Sequence, residues 1–532
     1  MKVFVRLTAT LLLLGCAQGI QTRVDSSSGP RTRAERTNYL ETSHYADVIA
    51  FLDSLRGRPE LTFGSIGKTN EGRDIPYVIA SRQRVSTPDE ARRLNRPIVY
   101  IQGNIHAGEV EGKEALLAML RDLTSSRRSN ILDSVVLIAV PIYNADGNER
   151  FAHQEQNRGS QNGPEMVGVR TNAQGLDLNR DYIKAEAPET RASLSMFNAW
   201  DPDVFVDLHT TDGSYHGYAL TYAPPLNPAA PFAVWTRDVI MPVLRERMQS
   251  RHGFATFDYG DFIDDDTLSK GWVTFDSRPR FGTNYYGLRG RIGILSEAYS
   301  HDRFERRVKS TYAFVQEILS LVAERSTDFR RRAPPPRDVA IRSEMVAAPD
   351  SIGVIAEVIE RTGDSTRTQP GVPKGRRRTG RYITVKMPVL ERFKPTLVAP
   401  IPTRYVIPQA DTQVVRVLRE HGITVAQAGL SPANTQLVAE GYVFAIDSAV
   451  AATRPFQGHR EMRLKGKWRK ETRRITAGSF VVDTSQPLGR LAVYMLEPQS
   501  DDGLVTWNFF DAELKPGGAY PVFKTGGAPP TP

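Results

Sequence analysis

Four short apolar runs constrain this chain most: Pro97-Ile98-Val99-Tyr100-Ile101, Val135-Val136-Leu137-Ile138-Ala139-Val140, Val204-Phe205-Val206-Asp207-Leu208 and Ile292-Gly293-Ile294-Leu295. Each is too short for a helix and rich in β-branched or aromatic side chains, which predicts buried strands. Helix formers follow or separate them, in Ala115-Leu116-Leu117-Ala118-Met119-Leu120, around Glu189 to Trp200, and from Arg303 to Glu324. Strands alternating with helices imply an α/β unit, a mostly parallel mixed sheet flanked by helices. Tyr45, Val48, Ile49, Leu52 and Leu55 repeat at helical spacing before two further strands, Leu61 to Ile66 and Ile75 to Ala80. The unit is therefore expected to span residues 37–330.

The pattern then changes. Residues 331–340 carry Pro334-Pro335-Pro336 and read as a stiff linker. Residues 341–532 read as a β-rich C-terminal region, with short strands at Tyr382 to Val385, Arg404 to Ile407, Tyr442 to Ile446, Phe480 to Val482 and Leu491 to Leu496. Only Thr412 to His421 reads clearly as a helix there, and a further division is possible near Pro455.

Chemistry gathers at the ends of the predicted strands. His106 and Glu109 sit three apart in the turn after the first run, a spacing that lets an imidazole and a carboxylate converge on one cation. His209 follows the third run directly, at the carboxyl end where open α/β sheets bind their ligands. Two nitrogens and one oxygen leave a fourth position free, the catalytic form of a zinc site, whereas a structural site is closed by four ligands and usually holds cysteines. Glu297 ends the fourth run at the same edge, where it can take a proton from water activated by the metal.

His106-x-x-Glu109, Asp177-x-Asn179-Arg180, His209 and Glu297 occur in the order of the zinc metallocarboxypeptidase family typified by carboxypeptidase A, which the chain resembles over about residues 36–325. The resemblance implies one Zn2+ per chain and a peptide substrate with a free terminal carboxylate, held by Asn179 and Arg180. It implies that Asp177 orients His106 and that Arg170 polarises the scissile carbonyl. For the family's mobile substrate-binding tyrosine the candidates are Tyr285 and Tyr286. The specificity pocket is expected within Asp258 to Phe281. There Asp261, Asp264, Asp265 and Asp266 read as an acidic surface loop, with recognition of a basic terminal residue as the alternative. His153, His216, His252 and His301 read as structural or exposed.

The N-terminus bears on location. Lys2 and Arg6 precede an apolar core, Leu7 to Leu14, and then Leu13-Leu14-Gly15-Cys16, which resembles a bacterial lipobox. Residues 1–16 are thus expected to be a signal peptide, with Cys16 lipidated and anchoring the chain to a membrane, and polar residues 17–36 a tether. Cys16 is the only cysteine, so disulfides are excluded. The formal charge of +9 raises the question of nucleic acid, but no motif for it occurs, and the arginines are scattered apart from two short runs. No protein partner can be inferred.

The leading expectation is an exported cell-envelope enzyme, active as exported, that hydrolyses the C-terminal peptide bond. A zinc amidohydrolase of cell-wall stem peptides or N-acyl amino acids is the alternative. An inactive envelope binding protein is the third reading, and an intact Glu297 speaks against it.

Overall fold

The computed structural model describes residues 29–125, 128–363, 369, 371–428 and 436–526. The signal segment and Cys16 lie outside them. The apolar runs form the centre of an eight-stranded sheet. Its strands are β1 (Leu61–Lys68), β2 (Asp74–Ala80), β3 (Ile98–Gly103), β4 (Val136–Val140), β5 (Val204–Thr210), β6 (Leu220–Ala223), β7 (Thr256–Asp258) and β8 (Ile292–Ala298), in the spatial order β1-β2-β4-β3-β5-β8-β6-β7. Four central strands, β4, β3, β5 and β8, run parallel, and β2 on one side and β6 on the other pair antiparallel to them. This is the mixed, mostly parallel sheet expected from sequence.

Every residue of β3, β5 and β8 is buried, because helices or other strands cover both faces. Alternate side chains serve opposite layers. Val99 and Ile101 join Leu116 and Phe314, from the helices Glu111–Leu123 and Phe304–Glu324, while Tyr100 joins Phe197, Phe205 and Tyr286. Parallel alignment brings the carboxyl ends of β3, β5 and β8 to one edge. The register sets Glu297 on β8 directly beside His209 on β5.

The C-terminal region does not stand apart. Strands Asp338–Ala347 and Val389–Pro400 pair with each other, and the second also pairs with Trp272–Val273 from the α/β unit. The core around Tyr286 continues into Tyr405, Val414, Leu491 and Trp507. Residues 331–340 therefore include the start of a shared sheet as well as a linker, and no break occurs at Pro455. Two other expectations are corrected. Gly489–Leu496 is a helix, all of whose residues but Arg490 are buried. The last part of the tether is packed: Ala34 is fully buried, and Glu35 pairs with Arg121 at 2.6 Å. Among the described residues no helix is long and apolar enough to cross a membrane.

Candidate active site

The turn after β3 is held by Asn104, which sits at φ 66° and donates its side-chain amide to the carbonyls of Ala107 and Glu109 at 3.2 and 3.3 Å. Gly108 within it has no room for a side chain, since a Cβ would lie 2.6 Å from Arg158. This turn carries His106 and Glu109 to the end of β5. His106 Nδ1 lies 3.0 Å from Glu109 Oε1, His209 Nδ1 lies 3.0 Å from Glu109 Oε2, and the two Nδ1 atoms are 3.2 Å apart.

The opposite ring nitrogens explain what that cluster lacks. His106 Nε2 faces Asp177 Oδ1 at 3.0 Å, and His209 Nε2 faces Asp207 Oδ2 at 3.1 Å. A carboxylate only accepts, so each Nε2 carries a proton, and each Nδ1 is left to share Glu109 either through a second proton or, as a lone pair, through a cation. In the latter case two lone pairs and the Glu109 carboxylate converge, with ligand atoms all within 4.8 Å of one another. A cation would hold them together, and this donor set fits zinc, with each histidine backed by a carboxylate. Burial opposes charge on His209, yet Asp207 and Glu109 outweigh it and raise the pKa well above the ordinary value. Without a cation the same carboxylates would draw a second proton onto the ring, which a bound metal would replace. Burial also works against the Glu109 carboxylate, but His106 and Arg158 hold it well below the usual range.

The metal cluster opens on a cleft of about 240 Å³ lined by Arg170, Asn179, Arg180 and Glu297 as well as the three ligands. Asp177 ties these together. Its Oδ2 accepts from Arg170 Nε at 2.9 Å, and its Oδ1 caps the Asn179 amide at 2.9 Å. Arg170 also reaches Glu109 at 3.5 Å. Asn179 accepts from the Gly282 amide at 2.8 Å, and the Arg180 guanidinium lies 4.0 Å over the Phe281 ring. Among the described residues Arg180 makes no ion pair. Burial and the neighbouring Arg170 and Arg280 lower its pKa despite Asp177. For Glu297, burial and then Glu109 and Asp212 raise the pKa well above the carboxylate range, with His209 opposing.

Tyr285 and Tyr286 do not line this cleft. They belong to the buried helix Gly282–Leu288, where the Tyr285 hydroxyl meets His421 Nδ1 at 2.6 Å and the Tyr286 hydroxyl meets Ser193 at 3.1 Å. The tyrosine that does line it is Tyr259, which carried no signal in the sequence. Arg158, 3.1 Å from Glu109, was equally hidden in a polar loop. Asp207 was also missed, although its place two residues before His209 on the same strand face was a signal that could have found it. Of the four aspartates after Asp258, Asp261 lines the cleft, whereas Asp264, Asp265 and Asp266 pair with Lys270, Arg376 and Arg361. His301 stacks on Tyr215 and bonds to the Gly213 carbonyl, away from the cleft.

Residues 48–229 match the family model Peptidase_M14, zinc carboxypeptidase. Carboxypeptidase 2 of Trichophyton tonsurans is 22% identical over 535 residues, covering 94% of this chain and 86% of that protein. Carboxypeptidase D of Homo sapiens is 32% identical over 159 residues, 28% of this chain and 10% of that protein. The crystal structure of a metallo-carboxypeptidase from Burkholderia cenocepacia superposes with a TM-score of 0.39 at 20% identity, covering 53% of this chain and 70% of the other.

Proposed function

Because this chain carries a zinc carboxypeptidase domain and is a metallocarboxypeptidase hydrolase, we propose the role of each residue in the cleft and the kind of peptide it takes. His106, Glu109 and His209 hold the zinc, with Asp177 and Asp207 fixing the two imidazoles. The observation that carries the reading is Arg180, a half-buried guanidinium with no ion-pair partner among the described residues, beside the amide of Asn179. An unpaired cation in a cleft is costly, and a substrate's terminal carboxylate satisfies it. That anchoring leaves the last peptide bond over the metal cluster. Zinc, when bound, polarises the scissile carbonyl and lowers the pKa of water. Arg170 donates to the carbonyl oxygen as negative charge develops there. Glu297, which a cation held beside it would keep ionised against its burial, takes the proton of the attacking water and passes it to the departing amine.

Asp261 supports a preference for a basic terminal side chain. It lines the cleft, its side chain bonds to Ser214 and forms no ion pair among the described residues, while burial and Asp212 push it up to about 6. A lysine or arginine entering the cleft supplies the missing cation. The N-terminal sequence supports export and anchoring at a cell envelope through Cys16. Mass spectrometry of a mixed peptide library tests the reading. The expected outcome is loss of single C-terminal Lys or Arg residues, with Arg180→Ala slowing every free-acid substrate. Cleavage of internal bonds, or release of an acyl group from N-acyl amino acids alone, would contradict it.

A further inference from the structure

The hairpin connection between the strands Gln436–Ala451 and Met462–Thr476 touches the active site. At its tip Phe456 and His459 exchange two backbone hydrogen bonds, at 2.7 and 3.0 Å, around a two-residue turn. Gln457 and Gly458 lie at φ 50° and 82°. Glycine adopts that conformation freely, but a glutamine rarely does. Its side chain is correspondingly placed: Gln457 Oε1 accepts the backbone N–H of Asp177 at 2.9 Å.

Asp177 is where the site is knotted together. It faces His106, receives Arg170, and caps the turn that presents Asn179 and Arg180. Both flanks of the tip are clamped to the α/β unit. His459 Nε2 meets Glu186 at 2.8 Å, and its Nδ1 meets the Asn508 side-chain oxygen at 3.1 Å. The Asn508 amide nitrogen already donates to the Arg460 carbonyl, so both partners of His459 accept and the ring carries both protons. Phe456 lies 5.2 Å from the guanidinium of Arg280, which Asp502 and Glu461 hold at 2.7 and 2.8 Å. Arg280 precedes Phe281, the ring beneath Arg180.

We infer that this hairpin tip is a working part of the active site, with Gln457 a positioning residue that fixes Asp177 and, through it, His106, Arg170 and the Asn179–Arg180 turn. The last link rests on the assignment of Arg180 to the substrate carboxylate; the link to His106 does not. The C-terminal region thereby completes a site whose reacting groups all come from the α/β unit.

Two variants of the full-length zinc enzyme test this. Gln457→Met keeps the bulk and removes the acceptor. Gln457→Gly removes the side chain and suits the turn, so it is expected to melt at or above the parent temperature. In both, zinc should pass to EDTA faster than in the parent, and kcat/KM on a free-acid peptide should fall about tenfold. Both quantities staying within about twofold of the parent would overturn the inference. If the parent cuts free-acid and amidated peptides alike, the carboxylate assignment fails, while zinc release still reads the Gln457 latch independently.

Discussion

At the scale of single residues, the proposed chemistry divides between groups that would hold the metal and one that would move a proton. Glu297→Gln keeps the shape of the side chain and loses its basicity. It should retain zinc while kcat falls about 10²–10⁴-fold, whereas His209→Ala should purify with little zinc. Turnover by Glu297→Gln near the parent's would assign the proton to another group. Asp261 gives a pH signature that shared groups cannot mimic. Burial raises its pKa to about 6, so below that value it is neutral and above it an anion. The ratio of kcat/KM for Lys-terminal over Gln-terminal peptides should therefore rise between about pH 5 and pH 7 and then level off, as the carboxyl ionises. Because the ratio cancels Glu297 and the metal site, a flat ratio, or an unchanged rise in Asp261→Asn, would remove Asp261 from substrate recognition.

Among the elements, what was legible followed from burial. β3, β4, β5 and β8 are covered on both faces, so their runs are almost wholly apolar, and His106, His209 and Glu297 could be placed at or just past strand ends. Two features were not legible. Leu491 to Leu496 is as apolar as a strand, and periodicity cannot separate a fully buried helix from one; Leu, Ala and Met tip it to helix. Tyr285 and Tyr286 precede the Glu297 strand in sequence, but their helix packs both rings into the core, with Tyr286 stacked on Phe197 at 3.8 Å. Tyr286→Phe loses only the bond to Ser193 and should cost about 1 kcal/mol in a denaturant melt, with kcat/KM unchanged. A large loss of activity at unchanged stability would return Tyr286 to the cleft.

For the whole molecule, the expected division at residues 331–340 does not separate two independent bodies. The strand pairing of Trp272–Val273 with Val389–Leu390, the core shared by Tyr286 and Trp507, and the Arg280–Asp502 pair all cross it. Contacts over such sequence separation leave no trace in local pattern, which is why the boundary read as a linker. A chain ending at residue 330 would expose that core and leave the buried Arg280 without its carboxylates, so it should lose the cooperative melt of the full chain. Retention of the parent melting temperature would show that the α/β unit stands alone.

The central claim is that Arg180 and Asn179 read a free carboxylate and so place only the terminal bond over the metal. Its most direct measurement is kcat/KM on a peptide and on its C-terminally amidated twin. Losing the charge-assisted pair should cost about 2–5 kcal/mol, or roughly 30- to 5000-fold, with Arg180→Ala erasing most of that difference by slowing the free acid alone. Equal rates on the two peptides by the parent enzyme would contradict the account, even with the zinc site intact.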